Sequence, residues 1–150
     1  MLNIDKILVP TDFSDNCDLA LGKAVKYAAA CGATLHLTYV LPEMPNIFKL
    51  SGYMVKGKVQ EEVEQCCADW FEKQIARVSG AKDVEIKTKV LQGIPFKELL
   101  KQEKKLQPDL IVVAAKGETA LEEVMFGGTA SKIVRYAKGS VLLVKKPKYS

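Results

Sequence analysis

The chain has one histidine, one tryptophan and four cysteines, none of them in a C-x-x-C pair. His36 with Cys17, Cys31, Cys66 and Cys67 is a thin donor set for zinc. In a reducing compartment the cysteines read as small buried hydrophobes, with metal or redox chemistry at the adjacent Cys66 and Cys67 as the rival reading. No apolar run approaches the roughly 18 residues of a membrane span. The opening Met-Leu-Asn-Ile-Asp-Lys carries charge too early for a signal peptide. A cytoplasmic protein is expected. No five basic residues stand together, and Lys145-Lys146-Pro147-Lys148 reads as a solvated tail rather than a nucleic-acid contact.

What is present is ordinary globular composition. The 150 residues are 48% hydrophobic and 27% charged, with a formal net charge of +4. That length suits one domain with a real core, and the mild positive surplus favours an anionic ligand.

The hydrophobic period switches along the chain. Lys6 to Pro10 is a short buried-strand run, and Cys17, Leu21, Ala24, Ala28 and Cys31 then recur at helical steps. Ser14 and Asp15 supply the cap, and Gly32 the stop. Thr34 to Leu41 is rich in strand formers, and Pro42 to Val55 reads as a long loop. A second helical stripe combines Val59, Val63, Cys66 and Trp70 with Cys67 and Phe71, which places Trp70 and both cysteines in the core. Asp83 to Gln92 alternates like a half-covered strand near an edge. A helix with proline in its first turn spans Pro95 to Leu106. Asp109 to Ala115 is the most apolar strand, and Thr119 to Glu122 fits a capping box. Thr129 to Lys138 is the last helix, with Ala130, Ile133, Val134 and Ala137 inward, and Ser140 to Val144 the last strand. Five strands and four main helices in alternation require crossover connections. The expected fold is therefore α/β: one domain over residues 1–150, a mainly parallel five-stranded sheet with helices on both faces.

Ligands of such sheets sit beyond the carboxyl ends of the strands. Asp12, between the first strand and first helix, reads as an acceptor for a ligand donor such as a base amino group, or as a turn residue. Gly93 and Pro95 make a tight strand-to-helix turn. From Ala114 to Ser131, a glycine leaves a buried strand and Gly127-Gly128-Thr129 opens a helix. Glycine backbone and a helix N-terminus offer N–H donors to phosphate, Thr129 a cap or phosphate hydroxyl, and Lys116 a point charge. A glycine-punctuated connection is the plainer alternative. No P-loop, dinucleotide fingerprint or nucleophile elbow occurs, and His36 lies inside a strand, so no catalytic constellation is expected.

Taken together, Ile7-Leu-Val-Pro-Thr-Asp-Phe-Ser14, Thr38-Tyr-Val40, Gly93-Ile-Pro95 and the spacing of Gly117, nine residues, then Gly127 resemble the universal stress protein family over essentially the whole chain. The nucleotide-binding branch carries G-x2-G-x9-G-[ST]. Here its first glycine is Ala114, and its terminal hydroxyl residue is Gly128, with Thr129 one place later. The resemblance implies a Rossmann-like, adenine nucleotide alpha hydrolase-like fold that binds ATP, with or without Mg²⁺. It implies base contacts at Asp12 and Val40, and ribose and phosphate contacts at Val113, Ala114, Gly117, Gly127, Gly128, Thr129 and Ala130. Pro10 and Thr11 would line the same turn. It also implies a homodimer through Val141 to Val144 and at most weak ATP hydrolysis. A positive φ at Ala114 and a lost hydroxyl would each weaken binding, on the order of 10–100-fold. The alternatives are a nucleotide-free interaction protein of the same fold and, remotely, an adenine-nucleotide-dependent hydrolase or adenylyl transferase.

Overall fold

A computed structural model describes residues 3–43, 56–115 and 128–147. The elements are β1 (Lys6–Thr11), α1 (Asp15–Cys31), β2 (Thr34–Leu41), α2 (Lys56–Arg77), a 3-10 turn (Ala81–Asp83), β3 (Ile86–Gln92), α3 (Pro95–Leu106), β4 (Leu110–Ala114), α4 (Gly128–Tyr136) and β5 (Val141–Val144). The loop expected from Pro42 and the capping box at Thr119 to Glu122 fall largely or wholly outside the described residues.

The strands form one sheet in the order β3-β2-β1-β4-β5, and all four pairings are parallel. Strand alternation sends Ile7 and Val9 to one face and Leu8 to the other, and each face builds its own core. On the first, Ala20, Leu21, Ala24, Val25 and Ala28 of α1 and Cys67 and Phe71 of α2 pack on Ile7, Val9, Leu35, Leu37 and Val112. On the second, Leu99 of α3 and Ala130 and Ile133 of α4 pack on Leu8, Val40, Ile111 and Val113. The α/β sheet with helices on both faces is thus as expected, and β3 is indeed an edge strand.

Local chemistry fixes the boundaries. The Ser14 hydroxyl accepts from the Cys17 N–H and caps α1, and Gly32 ends that helix at φ 74°. Gly93 takes φ +139°, and a Cβ there would meet the Glu98 side chain at 3.0 Å. Buried Glu103 of α3 accepts the N–H groups of Lys138 and Gly139, which ties the end of α4 to α3.

Three side chains differ from the sequence reading. Trp70 is 44% exposed and Val134 45% exposed. Cys66 is exposed, whereas Cys67 beside it is buried. In each case a stripe only slightly too wide was drawn: at 100° per residue, Phe71 and Cys67 point at the sheet while Trp70 and Cys66 sit off that line.

At the amino edge of the sheet Asp109 joins the starts of β1 and β4. Its Oδ2 accepts the N–H groups of Asp5 at 2.8 Å and Lys6 at 3.0 Å. These bonds, Asp5 first, hold the carboxyl below its ordinary value. A depressed folded pKa means stability that is full above the unfolded value of about 4 and lost as pH falls through the folded value. Asp109→Asn should therefore cost about 1 kcal/mol at pH 7, the charged bonds being discounted for exposure. In urea melts, the gap between variant and wild type should narrow as pH falls below the ordinary carboxylate range. A gap independent of pH would refute the assignment.

Candidate functional site

The chain leaves β1 through α1 on one face and enters β5 through α4 on the other, so the carboxyl ends of the neighbouring strands β1 and β4 face a divergence of the backbone. This is the switch point at which open parallel sheets hold ligands. A cleft of about 320 Å³ opens there, within the range of small-molecule sites.

The cleft brings together Pro10, Thr11 and Asp12 from the end of β1, Val40 from β2, Val113 and Ala114 from β4, and Gly128, Thr129 and Ala130 from α4. The remaining expected residues, Lys116, Gly117 and Gly127, lie outside the described residues. Sequence reasoning missed other parts of the wall, among them Cys17, Thr38 and Leu99. Thr38 was legible in principle, because period-2 alternation puts it on the same face as Val40. It is 1% exposed, and its Oγ1 has no hydrogen-bond partner. Such an orphan hydroxyl is uncommon in folded proteins, where buried polar atoms are nearly always paired.

The β1–α1 turn is tightly specified. Asp12 Oδ1 accepts from the Ser14 N–H at 2.9 Å and from the Cys17 thiol at 3.1 Å. Burial, with the Asp12 carboxylate beside it, pushes the Cys17 thiol up despite opposing bonds from Ser14 and the Asp12 N–H. The thiol therefore stays protonated and remains a donor. Phe13 adopts φ 66°, a left-handed geometry that costs a non-glycine residue about 1–2 kcal/mol. Two things hold it there. Its N–H donates to Thr11 Oγ1 at 2.9 Å, and its ring packs on Tyr39, Trp70 and Phe71 with centroids 4.9, 5.5 and 5.0 Å away. Behind the turn a chain of bonds runs from the buried Thr11 out to the surface. Thr11 Oγ1 donates to Gln74 Oε1 at 3.0 Å, Gln74 Nε2 donates to Asp18 at 2.9 Å, and Arg77 grips the same carboxylate in a fork at 3.0 Å per arm.

Opposite Asp12, the first turn of the nine-residue α4 faces the cleft through Gly128, Thr129 and Ala130. Its unpaired N–H groups carry about half a positive charge, which suits an anion. Ala114 closes β4 in register with Val144 and has no positive φ, so the strain expected at that position does not arise. Among the described residues, no group of three His, Cys, Asp or Glu side chains is placed to hold a metal, and no helix is long and apolar enough to cross a membrane.

An α/β sheet with a switch-point cleft of this kind is a small-ligand-binding architecture. The sequence model described as the universal stress protein family matches residues 3–145, and the chain belongs to that family. Universal stress protein MJ0531 of Methanocaldococcus jannaschii is 30% identical over 95% of this chain and 83% of its own. The solved structure of universal stress protein UspA from Lactobacillus plantarum is 25% identical, with a TM-score of 0.69 over 96% of this chain and 99% of that one. A universal stress protein crystallised in complex with cAMP is 20% identical, with a TM-score of 0.68 over 95% and 98%.

Proposed function

We propose that the cleft binds an adenine nucleotide, ATP with its Mg²⁺ foremost, and that the protein is a cytoplasmic binding module of a stress response rather than a catalyst. The carrying observation is convergence. Residues from β1, β2, β4 and α4, expected from sequence to meet a nucleotide, line one cleft at the switch point. Asp12 and Val40 would hold the base, and the N-terminal turn of α4, with the Thr129 hydroxyl, the phosphates. Thr38 Oγ1 adds a buried hydroxyl without a partner to the wall. The relative crystallised with cAMP, of the same fold, supports an adenine nucleotide as the ligand class.

The sheet also supports pairing with a second copy. β5 is an edge strand whose four residues are all half-buried, and antiparallel pairing of Val141 to Val144 with a second copy would cover that edge.

Calorimetric titration of the nucleotide-stripped protein tests this reading, with ATP and Mg²⁺ in one series and AMP and GTP in others. Micromolar ATP binding, weaker for GTP, is expected, and light scattering on the same sample should give twice the 16.5 kDa chain mass. No heat at millimolar ATP would instead support a nucleotide-free interaction protein.

A further inference from the structure

The β1–α1 turn has a second side. Across the sheet from the first cleft, on the α1/α2 face, lies another opening of about 380 Å³, lined by Asp12, Phe13, Tyr39, Trp70, Lys73 and Arg77. Three of these six are aromatic: Phe13 packs between the other two, with centroids 4.9 Å from Tyr39 and 5.5 Å from Trp70. Trp70 stands edge-on to Tyr39, 6.3 Å away at 86°, and leaves 44% of its surface exposed. An exposed tryptophan in an aromatic cluster is an unfinished stack: its face is available to one more ring.

The charges around this opening are unequal. Arg77 is committed to Asp18 by its fork and reaches the Phe13 carbonyl at 3.4 Å. Asp12 directs Oδ1 to Ser14 and Cys17. Lys73 is exposed and has no ion pair or hydrogen bond among the described residues. The ammonium of Lys73 is therefore the uncommitted charge on the rim. Phe13, one of the aromatic residues lining the opening, is also the residue held in a left-handed geometry, and such strain concentrates at binding sites.

We propose that this second cleft binds a planar aromatic anion, its ring against Trp70 and Tyr39 and its acidic group toward Lys73. The site adjoins the first cleft, sharing Asp12 and Tyr39 with it across the β1–α1 turn, and stands whether or not that cleft takes ATP.

The sole tryptophan of the chain lines this cleft, so its emission responds when the cleft is filled, and the variants below tell that response from binding in the neighbouring cleft. The probes are 8-anilinonaphthalene-1-sulfonate and its uncharged counterpart N-phenyl-1-naphthylamine, titrated into the intact protein. One sulfonate probe per chain should bind saturably, quench the tryptophan, and bind more tightly than the neutral ring. Trp70→Leu should weaken both probes roughly 3–10-fold. Lys73→Glu, a change at an exposed position that leaves the fold untouched, should weaken the sulfonate on the order of 5-fold and spare the neutral ring. Three results would overturn the proposal: no saturable binding, a sulfonate affinity indifferent to Lys73→Glu, or binding lost in Gly128→Leu but unchanged in both second-cleft variants.

Discussion

Gly128→Leu is expected to abolish adenine-nucleotide binding, by more than 100-fold, while leaving the melting temperature within a few degrees of wild type. Two observations set this apart from an ordinary glycine substitution. Gly128 has no positive φ, and a Cβ built on it meets nothing within 4 Å among the described residues, so the backbone there accepts a side chain without strain. Yet it is the first residue of α4 and part of the cleft wall, so the added side chain occupies space and covers N–H groups offered to the phosphates. Losing several charge-assisted bonds at about 1.5–3 kcal/mol each exceeds the 2.7 kcal/mol or so of a hundredfold change. Leucine is also a far better helix former than glycine, which offsets any local loss of stability. Calorimetry with ATP beside a thermal melt separates the two effects. Undiminished affinity in a folded variant would remove α4 from the site.

Gln74→Ala carries the largest expected cost in stability. Gln74 is 0% exposed on α2, and its amide reaches Thr11 on one side and Asp18 on the other. Truncation removes one buried bond and one half-buried bond to a carboxylate, and leaves a void in their place. Together these cost about 2–4 kcal/mol, which for a chain of this length lowers the melting temperature by roughly 6–12 °C. The damage should reach the cleft as well. Thr11 Oγ1 holds the N–H of Phe13, whose left-handed geometry shapes the turn that places Asp12 in the cleft wall. ATP affinity should therefore fall in the same variant. A melting temperature within 2 °C of wild type would mean that the network does not brace the turn.

The parts of this molecule visible in the sequence are those written in period and punctuation. Strand runs such as Lys6 to Pro10 and Asp109 to Ala115, the Ser14 cap and the Gly32 stop all translate, within a residue at the ends, into observed elements. The residues around the first cleft were visible for a different reason. Each sits where a strand ends, and the topology carries all strand ends of a parallel sheet to one edge. Side-chain direction near the margin of a helix stripe was not visible. Trp70 and Phe71 are adjacent and equally apolar, and only the position of the sheet decides that Phe71 is 4% exposed and Trp70 44%. Nor could a phenylalanine in left-handed geometry be foreseen, since local preference argues against it and only the aromatic cluster and Thr11 enforce it. Nor does the sequence mark Gln74 as buried, since its partners, Thr11 and Asp18, are 63 and 56 residues away in the chain.

The sheet order also dictates the sequence of events as the chain is made. β1 is synthesised first but belongs at the centre. Its partner β2 follows soon after α1, whereas β4 meets it only across a long separation, the Asp109 bonds to Lys6 and Asp5 spanning 103 and 104 residues. At about 5–20 residues per second, β1 waits roughly 5–20 s on the ribosome with one edge unpaired. During that interval β1, β2 and β3 can associate with α1 and α2, but β4 and α4, which supply the far wall of the first cleft, do not yet exist. A nascent chain of this protein is therefore sticky along one strand before its cleft is complete, and any ligand of that cleft would stabilise only the finished product.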